Sequence, residues 1–241
     1  MGAKAVNAEG SPTIDSRRWS KYSEQAHAAG PVRSAYNSWL NHSTSLGYML
    51  RYQPPPARVL SIGCGSGNFD ILLASHGYTV TSLDSDPAVL EAVERSARRF
   101  DVALDIRQGD AFDLKEFHDR YDISFSGGLV EHWNGTKTQQ LIEEHARCAP
   151  RVQIEVPTRH VLLTEQIPDV IADAHLFKPG EFAERFKAAG LEVKKLYTLG
   201  GVPTRGREIV ESITPPVLFR WFQRRTGYSM GIGCIATRRS R

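Results

Sequence analysis

The sequence predicts an α/β fold in which seven strands alternate with helices, and three observations carry that expectation. Short apolar runs and segments of helical period alternate from about residue 57 to 199. The first run, Val59-Leu60-Ser61-Ile62, ends in Gly63-Cys64-Gly65-Ser66-Gly67, where backbone without Cβ atoms can approach a ligand closely. The second run is closed by Asp84, a carboxylate 21 positions after Gly63 and suitably spaced to accept hydrogen bonds from both hydroxyls of a ribose.

The elements follow in order. Asn68-Phe69-Asp70-Ile71-Leu72-Leu73 opens a helix that runs to His76, and Tyr78 to Leu83 forms the second strand. A helix covers Pro87 to Phe100, with proline in its first turn, where no N–H is needed. Val102, Leu104 and Ile106 alternate as a third strand before Gly109-Asp110, which completes a βαβαβ unit. Ile123 to Phe125 is a fourth strand running into Ser126-Gly127-Gly128. Leu141, Ile142 and His145 have helical spacing, and Val152, Ile154 and Val156 alternate as a fifth strand before Pro157. Phe182 to Phe186 is helical with Gly190 at its stop, Leu191 to Val193 is a sixth strand, and Met230, Ile232, Cys234 and Ala236 alternate as a seventh.

The glycine spacing decides which nucleotide suits the loop. A dinucleotide loop reads G-x-G-x-x-G, its third glycine allowing close packing of helix on strand and its helix N-terminus facing a pyrophosphate. Here the spacing is G-x-G-x-G, one residue short. With an acidic residue ending the next strand, the segment resembles motif I of the class I S-adenosylmethionine-dependent methyltransferases, whose loop holds a methionine moiety and no phosphate. The likeness extends over roughly residues 57 to 199 plus the last strand. Asp110-Ala111-Phe112 is similar to the family's stretch after strand three, where an acid meets the adenine amine and an apolar neighbour packs the ring. Ser126-Gly127-Gly128-Leu129-Val130-Glu131-His132-Trp133 is similar to the stretch after strand four, which lines the methionine end and the acceptor pocket. Val156-Pro157 and His175-Leu176-Phe177-Lys178-Pro179-Gly180-Glu181-Phe182 fit the end of strand five and the turn into the penultimate helix.

The resemblance implies a Rossmann-like, mostly parallel sheet with helices on both faces, strand order 3-2-1-4-5-7-6 and strand seven antiparallel. It implies S-adenosylmethionine as cofactor, held by Gly63, Cys64, Gly65, Gly67, Asp84, Ser85, Asp110, Ala111, Phe112, Ser126 and Gly127. Tyr22 and Trp19 are the preferred residues of a lid over it.

Composition fits one domain with appendages. The chain has 241 residues, 41% hydrophobic and 24% charged, large enough for a real core. Residues 1–15 read as a disordered tail without the apolar core of a signal peptide, and 16–56 as a helical, aromatic-rich lid segment. The domain proper is 57–241, with a substrate-pocket insertion at about 200–227. No run approaches the roughly 20 apolar residues of a membrane helix. Cys64, Cys148 and Cys234 have no metal-ligand spacing and an odd number, so a reducing cytoplasm is expected. Formal net charge is +3, with arginines concentrated late in the chain. No aromatic-interleaved basic stripe accompanies them, so a solvated basic face is expected first, a pocket for an anionic small substrate second and a nucleic-acid surface last.

The reaction expected is methyl transfer from S-adenosylmethionine to an oxygen or nitrogen of a small metabolite. Such a displacement needs positioning, and a base where the acceptor must lose a proton. His132, after strand four, is the candidate base, with His175, then His160 and Glu131, behind it. Some quinone-biosynthesis methyltransferases carry E-x-x-E-H in this stretch. Here Gly128 stands where the first glutamate would be, and one carboxylate with one imidazole is a poor set for a hard cation, so no metal is expected. The alternatives are a noncatalytic S-adenosylmethionine-binding protein, a nicotinamide-dependent oxidoreductase, which needs the longer glycine spacing, and a nucleic-acid methyltransferase.

Overall fold

The computed structural model describes residues 31–159, 174–199, 215, 218, 221–223 and 229–239, with side chains of the first helix described from His42 on. Residues 1–15, Trp19, Tyr22, His160 and most of the insertion at about 200–227 lie outside the described residues.

Seven strands form one sheet: β1 (Arg58–Ile62), β2 (Thr79–Asp84), β3 (Asp105–Gln108), β4 (Ile123–Gly127), β5 (Arg151–Pro157), β6 (Leu191–Leu199) and β7 (Gly231–Arg238). Their spatial order is β3-β2-β1-β4-β5-β7-β6, as the family resemblance implied. β1 pairs in parallel with β2 and β4, and β5 with β4, while β7 runs antiparallel to both β5 and β6. The helices are α1 (Pro31–Tyr52), α2 (Asn68–Ser75), α3 (Pro87–Arg99), α4 (Gly135–Cys148) and α5 (Pro179–Ala188).

The chain leaves β1 toward β2 and β3 on one side and later returns to place β4 on the other. That reversal opens a crevice beyond the carboxyl ends of β1 and β4, where open α/β sheets take their ligands. Two cores flank the sheet. On one face Leu46 and Met49 of α1 and Phe69 and Leu73 of α2 pack on Val59, Val80, Ile123 and Phe125. On the other, Leu141, Ile142 and Ala146 of α4 and Phe182 and Phe186 of α5 cover Val152, Ile154, Val156, Ile232 and Cys234.

Two strands depart from the expectation. The alternation at 102–106 mislocates β3, which starts only at Asp105. Val102 belongs to the end of α3: its N–H donates to Ala97 O (3.1 Å), behind Asp101 at φ 52°, so the helix cap captures that residue before the strand begins. The sixth strand runs six residues beyond Val193, to Leu199, because its long antiparallel partner β7 supplies hydrogen bonds that the sequence pattern of Lys194 and Lys195 does not announce.

Candidate functional site

The loop after β1 is built from backbone. Gly63, Gly65 and Gly67 all lie in the left-handed region, with φ of 67°, 53° and 66°. The Cys64 N–H donates to Leu83 O (3.0 Å) and the Gly67 N–H to Cys64 O (2.9 Å), closing a turn that delivers the chain into α2. A Cβ on Gly67 would stand 2.7 Å from Val93 Cγ1 of α3, so only glycine fits this corner.

Asp84, at the end of β2, stands beside that loop. Its Oδ2 accepts from the Gly65 N–H (3.2 Å) and its Oδ1 from the Asp86 N–H (3.1 Å). Burial raises its carboxyl above the usual carboxylate range, against the pull of these N–H groups. Beneath the loop, buried Asp70 accepts a hydrogen bond from Ser82 Oγ (2.5 Å), and burial pushes its carboxyl up to about 7. The Cys64 thiol is pushed well up by burial, with Asp70 and Asp84 adding to the shift, and stays protonated. Ser85 is exposed, and its carbonyl accepts from Gln108 Nε2 (3.1 Å).

Asp110 is exposed and shapes the turn after β3 through Oδ1, which accepts from the Phe112 N–H (2.9 Å). Phe112 and Ala111 are half-buried; Trp133 meets the Phe112 ring edge-on (5.1 Å), and Lys137 Nζ lies 5.7 Å from its centroid. After β4, Gly127 is exposed while Ser126 is fully buried, its hydroxyl turned into the interior without a hydrogen-bond partner among the described residues. Leu129 then folds back against Gly63, joining the loop after β4 to the loop after β1.

His132 closes a single 3₁₀ turn, Val130–His132, where it is buried and its ring meets Trp133 edge-on (6.3 Å). Glu131 beside it is fully buried, and neither carboxylate oxygen meets a hydrogen-bond partner among the described residues. Burial pushes that carboxyl up to about 8, so it is mostly protonated at neutral pH. His175 reaches this turn only through its main chain, whose N–H donates to Glu131 O (2.7 Å). Its ring is half-exposed, paired through Nε2 with Glu181 (2.8 Å) and resting on Phe177. Among the described residues, no group of three or more His, Cys, Asp or Glu side chains could hold a metal ion.

Sequence reasoning missed one constellation altogether. Gly127, Glu155, Gly233 and Tyr197 form a continuous cross-strand row over β4, β5, β7 and β6. The Tyr197 ring lies across Gly233, where a Cβ would stand 2.2 Å from Cζ, and its hydroxyl thereby reaches Glu155 Oε1 (2.5 Å) one strand beyond. Gln153 Nε2 donates to the same Oε1 (3.2 Å), to Tyr197 Oη (2.8 Å) and to Ser45 O of α1 (3.2 Å). Tyr48 of α1 stacks on Tyr197 from above (4.3 Å). The available signal was polar alternation, Gln153 and Glu155 inside a strand whose neighbours Val152, Ile154 and Val156 are all buried.

Residues 59–150 match the family model described as a methyltransferase domain. Over 100 residues the chain is 31% identical to a ribosomal protein L11 methyltransferase of Thermosipho africanus, covering 40% of this chain and 38% of that protein. Over 110 residues it is 31% identical to a ubiquinone biosynthesis O-methyltransferase of Azorhizobium caulinodans, covering 44% and 42%. The chain thus spans less than half the length of these curated relatives. In fold it is similar to magnesium protoporphyrin IX methyltransferase from Synechocystis PCC 6803, solved with bound S-adenosylhomocysteine, at a TM-score of 0.64 and 14% identity over 92% of this chain and 94% of that one. Residues 59–150, which contain the glycine loop and Asp84, thus carry a match to a methyltransferase domain, in a sheet whose strand order is the one the class I resemblance implied.

Proposed function

We propose that this protein transfers a methyl group from S-adenosylmethionine to an oxygen or nitrogen of a small metabolite, releasing S-adenosylhomocysteine. The observation that carries the reading is the left-handed glycine loop with Asp84 hydrogen-bonded to its Gly65 N–H, a cradle with an acid at its rim and no room for side chains at Gly67. Those residues fit the cofactor. The loop from Gly63 to Gly67 meets its methionine part, Asp84 and Ser85 its ribose, Asp110, Ala111 and Phe112 its adenine, and Ser126 and Gly127 line the methionine end through main chain. Tyr22 belongs to the lid of this reading.

When bound, the cofactor supplies an electrophilic methyl group on a sulfonium. The protein's part is to align the acceptor behind that methyl, to exclude water, and to take a proton where the acceptor must lose one. His132 is the proton acceptor in this reading, with His175 in a lesser role. The donor set around Glu131 and His132 is poor for a hard divalent cation, so transfer is expected to survive chelation. The small-molecule acceptor draws support from the ubiquinone O-methyltransferase relative, and the sequence carries no aromatic-interleaved basic stripe for nucleic acid. No helix among the described residues is long and apolar enough to cross a membrane, in keeping with a cytoplasmic enzyme.

The test is calorimetry with S-adenosylmethionine, S-adenosylhomocysteine and NAD, followed by a screen of small hydroxyl and amine acceptors with isotopically labelled methyl donor. Micromolar binding of the first two, none of NAD, and a labelled product support the reading. Absence of S-adenosylhomocysteine binding refutes it.

A further inference from the structure

The Glu155 row is more than packing requires. A carboxyl inside a sheet is costly unless its partners are fixed, and here they are supplied by three elements. β6 sends Tyr197 across a glycine, β5 provides Gln153, and α1 covers both with Ser45 and Tyr48. The hydrogen bonds that Tyr197 and Gln153 donate to Glu155 both end on Oε1. The second oxygen is directed to the other flank of the row, where Gly127 has no side chain: a Cβ there would stand 4.0 Å from Glu155 Oε2 and 3.3 Å from Phe125 Cζ. Gly127 is exposed, and Leu129, two residues on, packs against Gly63 of the glycine loop. The place a Gly127 Cβ would take, between Oε2 and the Phe125 ring, therefore lies at the carboxyl end of β4, next to the loop assigned to the methyl donor.

We propose that Glu155 is the acceptor-binding carboxylate of this site: Oε2 takes a hydrogen bond from a hydroxyl or amino group of the methyl acceptor, while Phe125 flanks the acceptor's apolar body. Tyr197 and Gln153 are positioning residues that fix the carboxyl through Oε1, and Gly233 makes room for Tyr197. The proposal rests on the methyl-transfer reading and names the acceptor's chemical class. An acceptor presenting a carboxylate at this point is disfavoured, because it would face a second acid. Burial raises the Glu155 carboxyl above its usual range.

The experiment titrates phenol, benzylamine and benzoate by calorimetry into protein saturated with S-adenosylhomocysteine. Phenol or benzylamine is expected to bind and benzoate not. Glu155→Gln, nearly isosteric, is expected to weaken that binding by at least about tenfold, the loss for a hydrogen bond to a charged group, with S-adenosylhomocysteine affinity unchanged. Tyr197→Phe keeps the ring beneath Tyr48 and should give an intermediate loss, which preserves the test if Glu155→Gln does not fold. Binding of neither probe to the wild type, equal binding by the variants, or a parallel fall in S-adenosylhomocysteine affinity would overturn the proposal. If the wild type does not bind S-adenosylhomocysteine, the methyl-transfer reading fails, and the same probes titrated into the free protein decide Glu155 separately.

Discussion

Asp84 and Glu155 are both carboxyl groups near the carboxyl ends of strands in one sheet, yet they are held in opposite ways. Asp84 is gripped by main-chain N–H groups of Gly65 and Asp86, neighbours in sequence or in the adjoining loop. Glu155 is gripped by the side chains of Gln153 and Tyr197 under a roof from α1. A site made of backbone tolerates many side chains around it and presents one fixed shape, which suits a ligand that never changes. A site made of side chains can be rebuilt by a few substitutions, which suits an acceptor that differs from enzyme to enzyme.

That contrast breaks most sharply at Gly65. Gly65→Val puts a β-branched residue at φ 53° in the loop, and binding of S-adenosylhomocysteine should collapse by more than the accompanying loss of stability accounts for. Normal affinity in the folded variant would remove the loop from the donor site. On the acceptor side, His132→Ala should lower the single-turnover rate by roughly 10²–10⁴-fold with donor affinity nearly intact. An unchanged rate at saturating acceptor would mean that alignment alone suffices. Asp84→Ala should weaken S-adenosylhomocysteine by about 1.5–3 kcal/mol in calorimetry, and equal affinities would take Asp84 out of the site.

The smallest effect concerns Glu131 and is read in stability. Its carboxyl titrates at about 8 in the fold against an ordinary value of 4.5, so the folded state holds the proton more tightly than the unfolded chain. The contribution of the protonated group is complete below the unfolded value and is lost as pH rises through the folded one, with a slope approaching about 1.4 kcal/mol per pH unit. Glu131→Gln should therefore match the wild type near pH 5 and exceed its melting temperature near pH 9. Parallel pH profiles for the two proteins would show that Glu131 gains a partner in solution.

The glycine loop and the acid beside it were legible because their geometry is local. Gly63 to Gly67 and Asp84 sit in two consecutive strand ends, so spacing alone carries them, and the buried parallel strands read as short apolar runs. The Glu155 row was not legible, because Tyr197 and Glu155 meet across 42 positions and only the antiparallel insertion of β7 between β5 and β6 brings them together. Gly233 carries no signal of its own in the sequence; the Tyr197 ring takes the space of its missing side chain. Ser126 shows the reverse limit: it falls in the expected stretch, but strand alternation turns its hydroxyl inward.

The helix α1 lies before the segment that sequence similarity recognises, residues 59–150, yet Leu46 and Met49 are 1% and 0% exposed in the core beneath the sheet. The unit that is inherited as a recognisable pattern and the unit that folds are therefore different lengths of chain. A fragment trimmed to the recognisable pattern would leave Val59, Phe69 and Phe125 facing water where α1 had lain, and would strip the roof from Tyr197 in the same cut. Any change to this helix must at the same time keep a wall over the core, which ties whatever α1 contributes beside Tyr197 to the stability of the fold.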